Sequence, residues 1–240
     1  MEFESELQSA HLVRRYNRFL ADIKLPNGGI MTIHCPNTGS MKNCKEPNSL
    51  IWYSASSNLK RKYPMTWQFI ESTDNHIVGI NTGLSNKLVV EAIVNGTIKQ
   101  LQDYNELETE VAYGAQNSRI DILLSGGGLS KQEKCYVEVK NVSLGVGSGL
   151  GLFPDAVTTR GQKHLQELML VKKSGCRAVL LFCVQHTGIE SVSPADEIDP
   201  EYSSLLREAV AVGVEAIAYR TEIDPQKGKI WLQDELAVIL

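Results

Sequence analysis

Asp121, Glu138 and Lys140 sit in two short apolar segments of a 240-residue chain, and their types and spacing could do phosphate chemistry. The first segment, 118–124, reads Ser-Arg-Ile-Asp-Ile-Leu-Leu; the second, 135–142, reads Cys-Tyr-Val-Glu-Val-Lys-Asn-Val. Side chains of a strand alternate between two faces. Tyr136, Glu138 and Lys140 therefore share one face, as do Arg119, Asp121 and Leu123. A glycine-rich turn, Ser125-Gly126-Gly127-Gly128, lets the segments pair as a hairpin, with 16 residues between the two acids. Paired, they bring two carboxylates and an ammonium to one spot. That set suits a hard divalent cation with a phosphate beside it.

An E-x-K pattern on a strand is common and usually marks a solvated pair. Here the context differs. Val137 and Val139 flank the acid, and residues 178–182, Ala-Val-Leu-Leu-Phe, form an almost continuous apolar strand. Such a strand belongs to a sheet covered on both faces. Unpaired charge buried there is costly, so acids in that setting need a partner.

The elements that must position these residues follow from the rest of the chain. Residues 10–80 read as short strands: 18–25, a turn at Pro26-Asn27-Gly28-Gly29, then 30–35, 50–54, 66–70 and 77–80. Five such strands predict a small OB-like barrel. From Asn81 the period becomes helical, with Leu84, Leu88, Val89, Ala92 and Ile93 on one stripe and Asn95-Gly96 closing it. A strand at 110–113, the hairpin, a helix over 158–173 capped by Asp155, a strand at 178–184, a helix at 203–212 and a last strand at 214–219 describe a mixed α/β domain. The division is 1–81 and 82–240. Residues 145–151 are glycine-rich but miss the G-x-G-x-x-G spacing, and read as flexible cover. On the helix after Asp155, Gly161, Leu165, Leu168 and Met169 face the sheet, and Gln162 lies on that inner side, where a polar residue reaches a site.

Net charge is −4, yet it is unevenly spread. Residues 7–70 hold nine Lys or Arg against two acids, and residues 71–240 hold 15 against 23. A basic front can hold a polyanion while carboxylates behind it hold metal. Arg14, Arg15, Arg18, Lys60, Arg61 and Lys62 lie among Tyr16, Phe19, Trp52, Tyr53 and Trp67, the mixture that stacks and neutralises nucleic acid, although some of these aromatics can equally be core. The five cysteines show no C-x-x-C pairing, which points to reduced, buried thiols and a cytoplasmic setting. The start is acidic, unlike a signal peptide, and no apolar run is long enough to span a membrane. No helix-turn-helix is readable.

Three strings carry a family resemblance. They are His34-Cys35-Pro36-Asn37-Thr38-Gly39-Ser40-Met41; Ser118-Arg119-Ile120-Asp121 with Glu138-Val139-Lys140-Asn141-Val142; and Phe153-Pro154-Asp155-Ala156-Val157-Thr158-Thr159-Arg160-Gly161-Gln162-Lys163-His164-Leu165. The second resembles the core of the PD-(D/E)XK nucleases, and the whole chain resembles the sugar fermentation stimulation (SfsA) family. The resemblance implies an OB-like N-terminal domain, a nuclease-like C-terminal domain and DNA binding, single-stranded or duplex. It implies Mg²⁺ or Mn²⁺ on Asp121 and Glu138, with Lys140 polarising the attacking water or stabilising charge on the phosphate, and Gln162 as the helix glutamine of that superfamily. A further helix acid completes such sites in relatives; Glu91 is the candidate and Glu110 its rival. Arg160, Lys163 and His164 are read either as phosphate contacts or as solvated helix surface. The alternative to a nuclease is a catalytically silent DNA-binding regulator of sugar metabolism. The oligomeric state is left open.

Overall fold

The computed structural model describes residues 1–58, 60–114, 118–127 and 133–240; Gly128, the end of the expected hairpin turn, lies outside them. The first unit is β1 (Gln8–Tyr16), β2 (Leu20–Lys24), β3 (Ile30–His34), β4 (Leu50–Ala55), β5 (Met65–Glu71) and β6 (Ile77–Gly79). Their order is β3-β2-β1-β4-β5-β6, and a parallel contact of β3 with β5 at His34 and Thr66 closes β1 to β5 into a barrel. Leu12, Ile23, Ile33, Ile51, Trp67 and Ile70 fill it.

β1 is a strand the sequence pattern did not disclose. It joins β2 through Asn17 and Arg18, both at positive φ (49° and 61°), so the turn has the hairpin-type twist without the glycine that usually announces it. Arg18, expected to begin the next strand, is a turn residue.

The second unit follows a 3-10 turn (Thr82–Leu84). It comprises α1 (Ser85–Val94), β7 (Glu106–Tyr113), β8 (Ser118–Gly127), β9 (Glu133–Val142), β10 (Leu144–Gly145), β11 (Leu150–Phe153), α2 (Thr159–Lys173), β12 (Arg177–Val184), β13 (Ser191–Pro194), α3 (Pro200–Ala211), β14 (Glu215–Asp224) and β15 (Lys229–Val238). The nine strands form one mixed sheet in the order β10-β11-β13-β15-β14-β12-β9-β8-β7. β12 runs parallel to both β9 and β14, while β8 pairs antiparallel with β9. As expected of a central strand, residues 178–184 are all buried. α1 covers one face over Val137, Val139, Leu181 and Cys183. α2 and α3 cover the other over Ala178, Leu180 and Phe182.

Three expectations change here. Residues 145–151 are not a loose cover: they turn β10 into β11, which pairs in parallel with β13 at the sheet edge. Asp155 does not cap α2. Thr158 does, its hydroxyl accepting from Gly161 N at 3.0 Å, because Ala156 and Val157 separate Asp155 from the first turn of the helix. The strand at 214–219 is not the last, since β15 follows it across a hairpin.

The two units share a hydrogen-bonded seam. Val78 of β6 bridges to His186 just beyond β12. Gly79 N donates to Gln185 O at 2.8 Å, Thr187 N donates to Ile77 O at 3.0 Å, and Ile77 N donates to Thr187 Oγ1 at 3.0 Å. A β-carbon on Gly79 would overlap the Gln185 side chain, so the close approach needs glycine. Freed from capping, Asp155 makes a second link. Its side chain accepts from Ser40 Oγ at 2.9 Å and Met41 N at 3.1 Å. Residues 1–3 leave the barrel and lie along the second unit, where Phe3 N donates to Gly228 O and Ile230 N to Met1 O.

Candidate active site

β8 and β9 are registered Ile122 to Val137 and Leu123 to Tyr136, so one further step sets Asp121 opposite Glu138. The backbone ladder ends there, and the Asp121 side chain takes over: its Oδ2 accepts Val139 N at 2.8 Å. Its Oδ1 accepts Asn86 Nδ2 at 2.9 Å from the first turn of α1. Glu138 points toward α2. Its Oε1 accepts Lys140 Nζ at 2.6 Å and also meets His164 Nδ1.

Glu138 is 2% exposed, and its second oxygen, Oε2, is buried without a hydrogen-bond partner among the described residues. Burial pulls its carboxyl upward, but His164 and Lys140 outweigh that and hold it below the ordinary carboxylate range. Asp121 goes the other way. Burial and then the negative charge of Glu138 raise its carboxyl, more than the bonds from Val139 and Asn86 lower it. Asp121 feels the charge of Glu138, and Glu138 Oε2 has no partner among the described residues.

His164 replaces an expectation. Of its two readings, solvated helix surface falls: it is 6% exposed and inside the site. Its Nδ1 meets Glu138 Oε1 and lies 3.1 Å from Lys140 Nζ, and its Nε2 lies 3.4 Å from Arg160 Nε. Gly161, His164, Leu165 and Leu168 are spaced i, i+3, i+4, i+7, so the helical stripe already placed the ring inward. Gln162 is drawn elsewhere: its Nε2 donates to Asp199 at 2.9 and 3.2 Å, and Asp199 caps α3. It bonds to none of Asp121, Glu138 and Lys140.

Neither candidate third acid joins the site. Glu91 lies five residues beyond Asn86 on α1, more than a turn away: its Oε1 accepts from the amino group of Met1 at 2.7 Å, against β15. Glu110 is exposed on β7 at φ 56°, skipped by the register that pairs Thr109 with Ile122 and Val111 with Ile120. Among the described residues no group of three or more His, Cys, Asp or Glu is placed to hold a metal. What fits a cation is narrower: two facing carboxylates, one with an unpaired buried oxygen.

The basic front is also sorted. Lys60, Arg61 and Lys62 are exposed on the loop between β4 and β5, and Arg18 and Phe19 on the turn between β1 and β2. Arg14 donates to Asp22 at 2.9 Å and lies over the Tyr16 ring. Arg15 is structural, donating to the carbonyls of Arg18, Asn37 and Gly39. Trp67 and Tyr53 are core, leaving Phe19, 50% exposed, as the open ring of that set. Arg160 is exposed on α2; Lys163 is half-buried.

Sequence comparison decides the family. Residues 83–227 match the model of the sugar fermentation stimulation protein RE domain, and residues 13–80 match that of the SfsA N-terminal OB domain. The chain belongs to the sugar fermentation stimulation protein family. A homologue from Shewanella frigidimarina is 54% identical over 94% of this chain and 95% of its own, and one from Shewanella piezotolerans is 56% identical over 94% of each. The structure of Pyrococcus furiosus SfsA in complex with Ca²⁺ aligns over 100% of this chain and 98% of that one, with a TM-score of 0.87 and 25% identity. The family therefore shares the barrel followed by the mixed sheet. No helix among the described residues is long and apolar enough to cross a membrane.

Proposed function

We propose that this protein binds DNA across its basic barrel and hydrolyses the phosphodiester at Asp121, Glu138 and Lys140, on a PD-(D/E)XK-type arrangement. The observation that carries the reading is a buried Glu138 Oε2 with no partner among the described residues, on a residue set opposite Asp121 across the strands, with an ammonium 2.6 Å from the other oxygen. Pure binding has no use for carboxylates beside a phosphate, which they repel unless a cation lies between. Asp121 and Glu138 would hold Mg²⁺ or Mn²⁺, which when bound supplies charge for the phosphoryl oxygens and lowers the pKa of water. The related Pyrococcus protein in complex with Ca²⁺ supports a hard cation. Asn86 and Val139 N orient Asp121. Lys140 leaves Glu138 to face the phosphate, and His164 keeps Glu138 ionised in its place.

A second reading, a DNA-binding regulator on a silent nuclease scaffold, is favoured by one observation: Lys140 and His164 both already engage Glu138, as a closed ion cluster would. The test is cleavage of labelled single-stranded and duplex DNA with Mg²⁺, Mn²⁺ or EDTA. Cutting that needs metal and disappears in Asp121→Asn, Glu138→Gln and Lys140→Ala, with binding retained, supports the first reading. Binding without cutting by the wild type on every substrate leaves the second.

A further inference from the structure

A cleft of about 390 Å³ opens between the barrel and α1, outside the Asp121 and Glu138 site. Its floor is a row of polar side chains, the buried Gln68 and Ser54 and the half-buried Asn81. Asn81 Nδ2 donates to Gln68 Oε1 at 2.9 Å, and Gln68 Nε2 donates to Ser54 Oγ at 2.9 Å. Asn81 Oδ1 is taken by Gly83 N at 3.2 Å. Each acceptor of the row thus already takes one bond, while the second N–H of each amide and the Ser54 hydroxyl hydrogen remain to be given. Arg61 and Lys87, both exposed, stand at the cleft, and Arg61 spends only a 3.4 Å contact on Thr66. His34 lines it with a buried Nδ1 that has no partner among the described residues. Burial and then the charge of Arg61 lower the His34 pKa and keep the ring neutral.

Donors on the floor and two cations at the mouth call for a ligand rich in acceptors and carrying negative charge. We infer that this cleft takes one unpaired nucleotide of a single strand, its base edge on the row of Asn81, Gln68 and Ser54 and its phosphate between Arg61 and Lys87. This rests on the DNA-binding reading and narrows it. The volume is at the small end for ligand sites and matches one nucleotide. A paired base would have its edge occupied and would first have to be flipped out. The opposite wall comes from residues 1–5 and carries Glu2 and Glu4, with Glu2 3.6 Å from Lys229. One cationic and one anionic wall accept a single phosphate backbone and repel a second. Phe3 and Pro36 add apolar surface for the ring.

Fluorescence anisotropy with a labelled ten-nucleotide single strand and with its duplex, at low salt and with EDTA, tests the assignment. Free thymidine monophosphate competes as a third arm. The expected result is wild-type preference for the single strand by about tenfold or more, and a loss of single-strand affinity of about five- to tenfold in Lys87→Ala and in His34→Ala, with duplex affinity unchanged. Thymidine monophosphate should displace the strand only weakly; displacement at equal concentration would instead identify a free-nucleotide site. Equal affinity for both DNA forms, or variants that bind the single strand as wild type does, overturns the inference and leaves DNA binding standing. Failure of the wild type to bind either form removes the wider DNA-binding reading and this one with it. Gln68→Asn, a conservative change in the floor, guards against a folding artefact: it should weaken the single strand while far-UV circular dichroism stays that of wild type.

Discussion

Asp22 in the barrel and Glu138 in the mixed sheet are both buried carboxylates, and they are served in opposite ways. Asp22 accepts Thr32 Oγ1 at 2.7 Å, Arg14 Nε at 2.9 Å and Tyr16 OH at 3.0 Å. Burial pushes its carboxyl up, but these three bonds outweigh that and lower it. Glu138 has both its partners on one oxygen and none on the other, with a second acid, Asp121, held above its ordinary range beside it. The barrel uses its acid to fasten a hairpin. The sheet leaves Glu138 incompletely satisfied, a state that costs stability and is kept where a ligand completes it.

The widest gap between the two should appear on substitution. Glu138→Gln and Asp121→Asn are expected to reduce metal-dependent DNA cleavage roughly 100- to 1000-fold, about 3–4 kcal/mol of barrier. Thermal melting should hold or improve in Asp121→Asn, whose charge the fold disfavours, and should fall in Glu138→Gln, which leaves the half-buried Lys140 without its partner. A large fall in melting temperature with cleavage intact would exchange the roles assigned to the two regions.

His186 extends the comparison to a buried base at the seam. Burial, and then the nearby His76, lower its pKa to about 4. Between pH 6.5 and 4 the unfolded chain takes up a proton that the folded one refuses. Stability is therefore complete above about pH 6.5 and is lost as pH falls toward 4, by about 3 kcal/mol at most. Urea midpoints at pH 7.5, 5.5 and 4.5 read this, and His186→Phe should flatten the slope.

Asp22→Ala is the reciprocal of the first test. It leaves Tyr16, Thr32 and Arg14 without their shared acceptor and should cost about 1–3 kcal/mol in urea unfolding, with cleavage per folded molecule unchanged. The smallest effect belongs to the exposed loop. Arg61→Ala should lower the slope of log affinity against log salt by about 1 in DNA titrations, which locates the phosphate contact on the barrel.

The barrel and the strands of the site hairpin were readable because period-2 apolar patterns report strands directly, although Ser125, Gly126 and Gly127, expected in the hairpin turn, belong to β8. β1 was not, since Asn17-Arg18 makes its turn without glycine and its arginines read as surface. The convergence of Asp121, Glu138 and Lys140 followed from strand alternation alone. The remaining neighbours did not. His164 faces Glu138 across α2, Asn86 reaches Asp121 from α1, and Gln162 turns to Asp199. Those partners are 26 to 37 residues apart and depend on how helices dock, which no local period encodes. The arginines show the same limit: charge density located the basic face but could not separate Arg15, tied to three carbonyls, from Arg61, which is open.

Pairing β6 with residues 185–187 has a consequence for how the molecule comes apart. A barrel that lends an edge strand to its neighbour does not melt alone, so calorimetry should record one cooperative transition in place of two. Either half made separately would carry a bare strand edge where Gly79 and Gln185 now meet, an invitation to self-association.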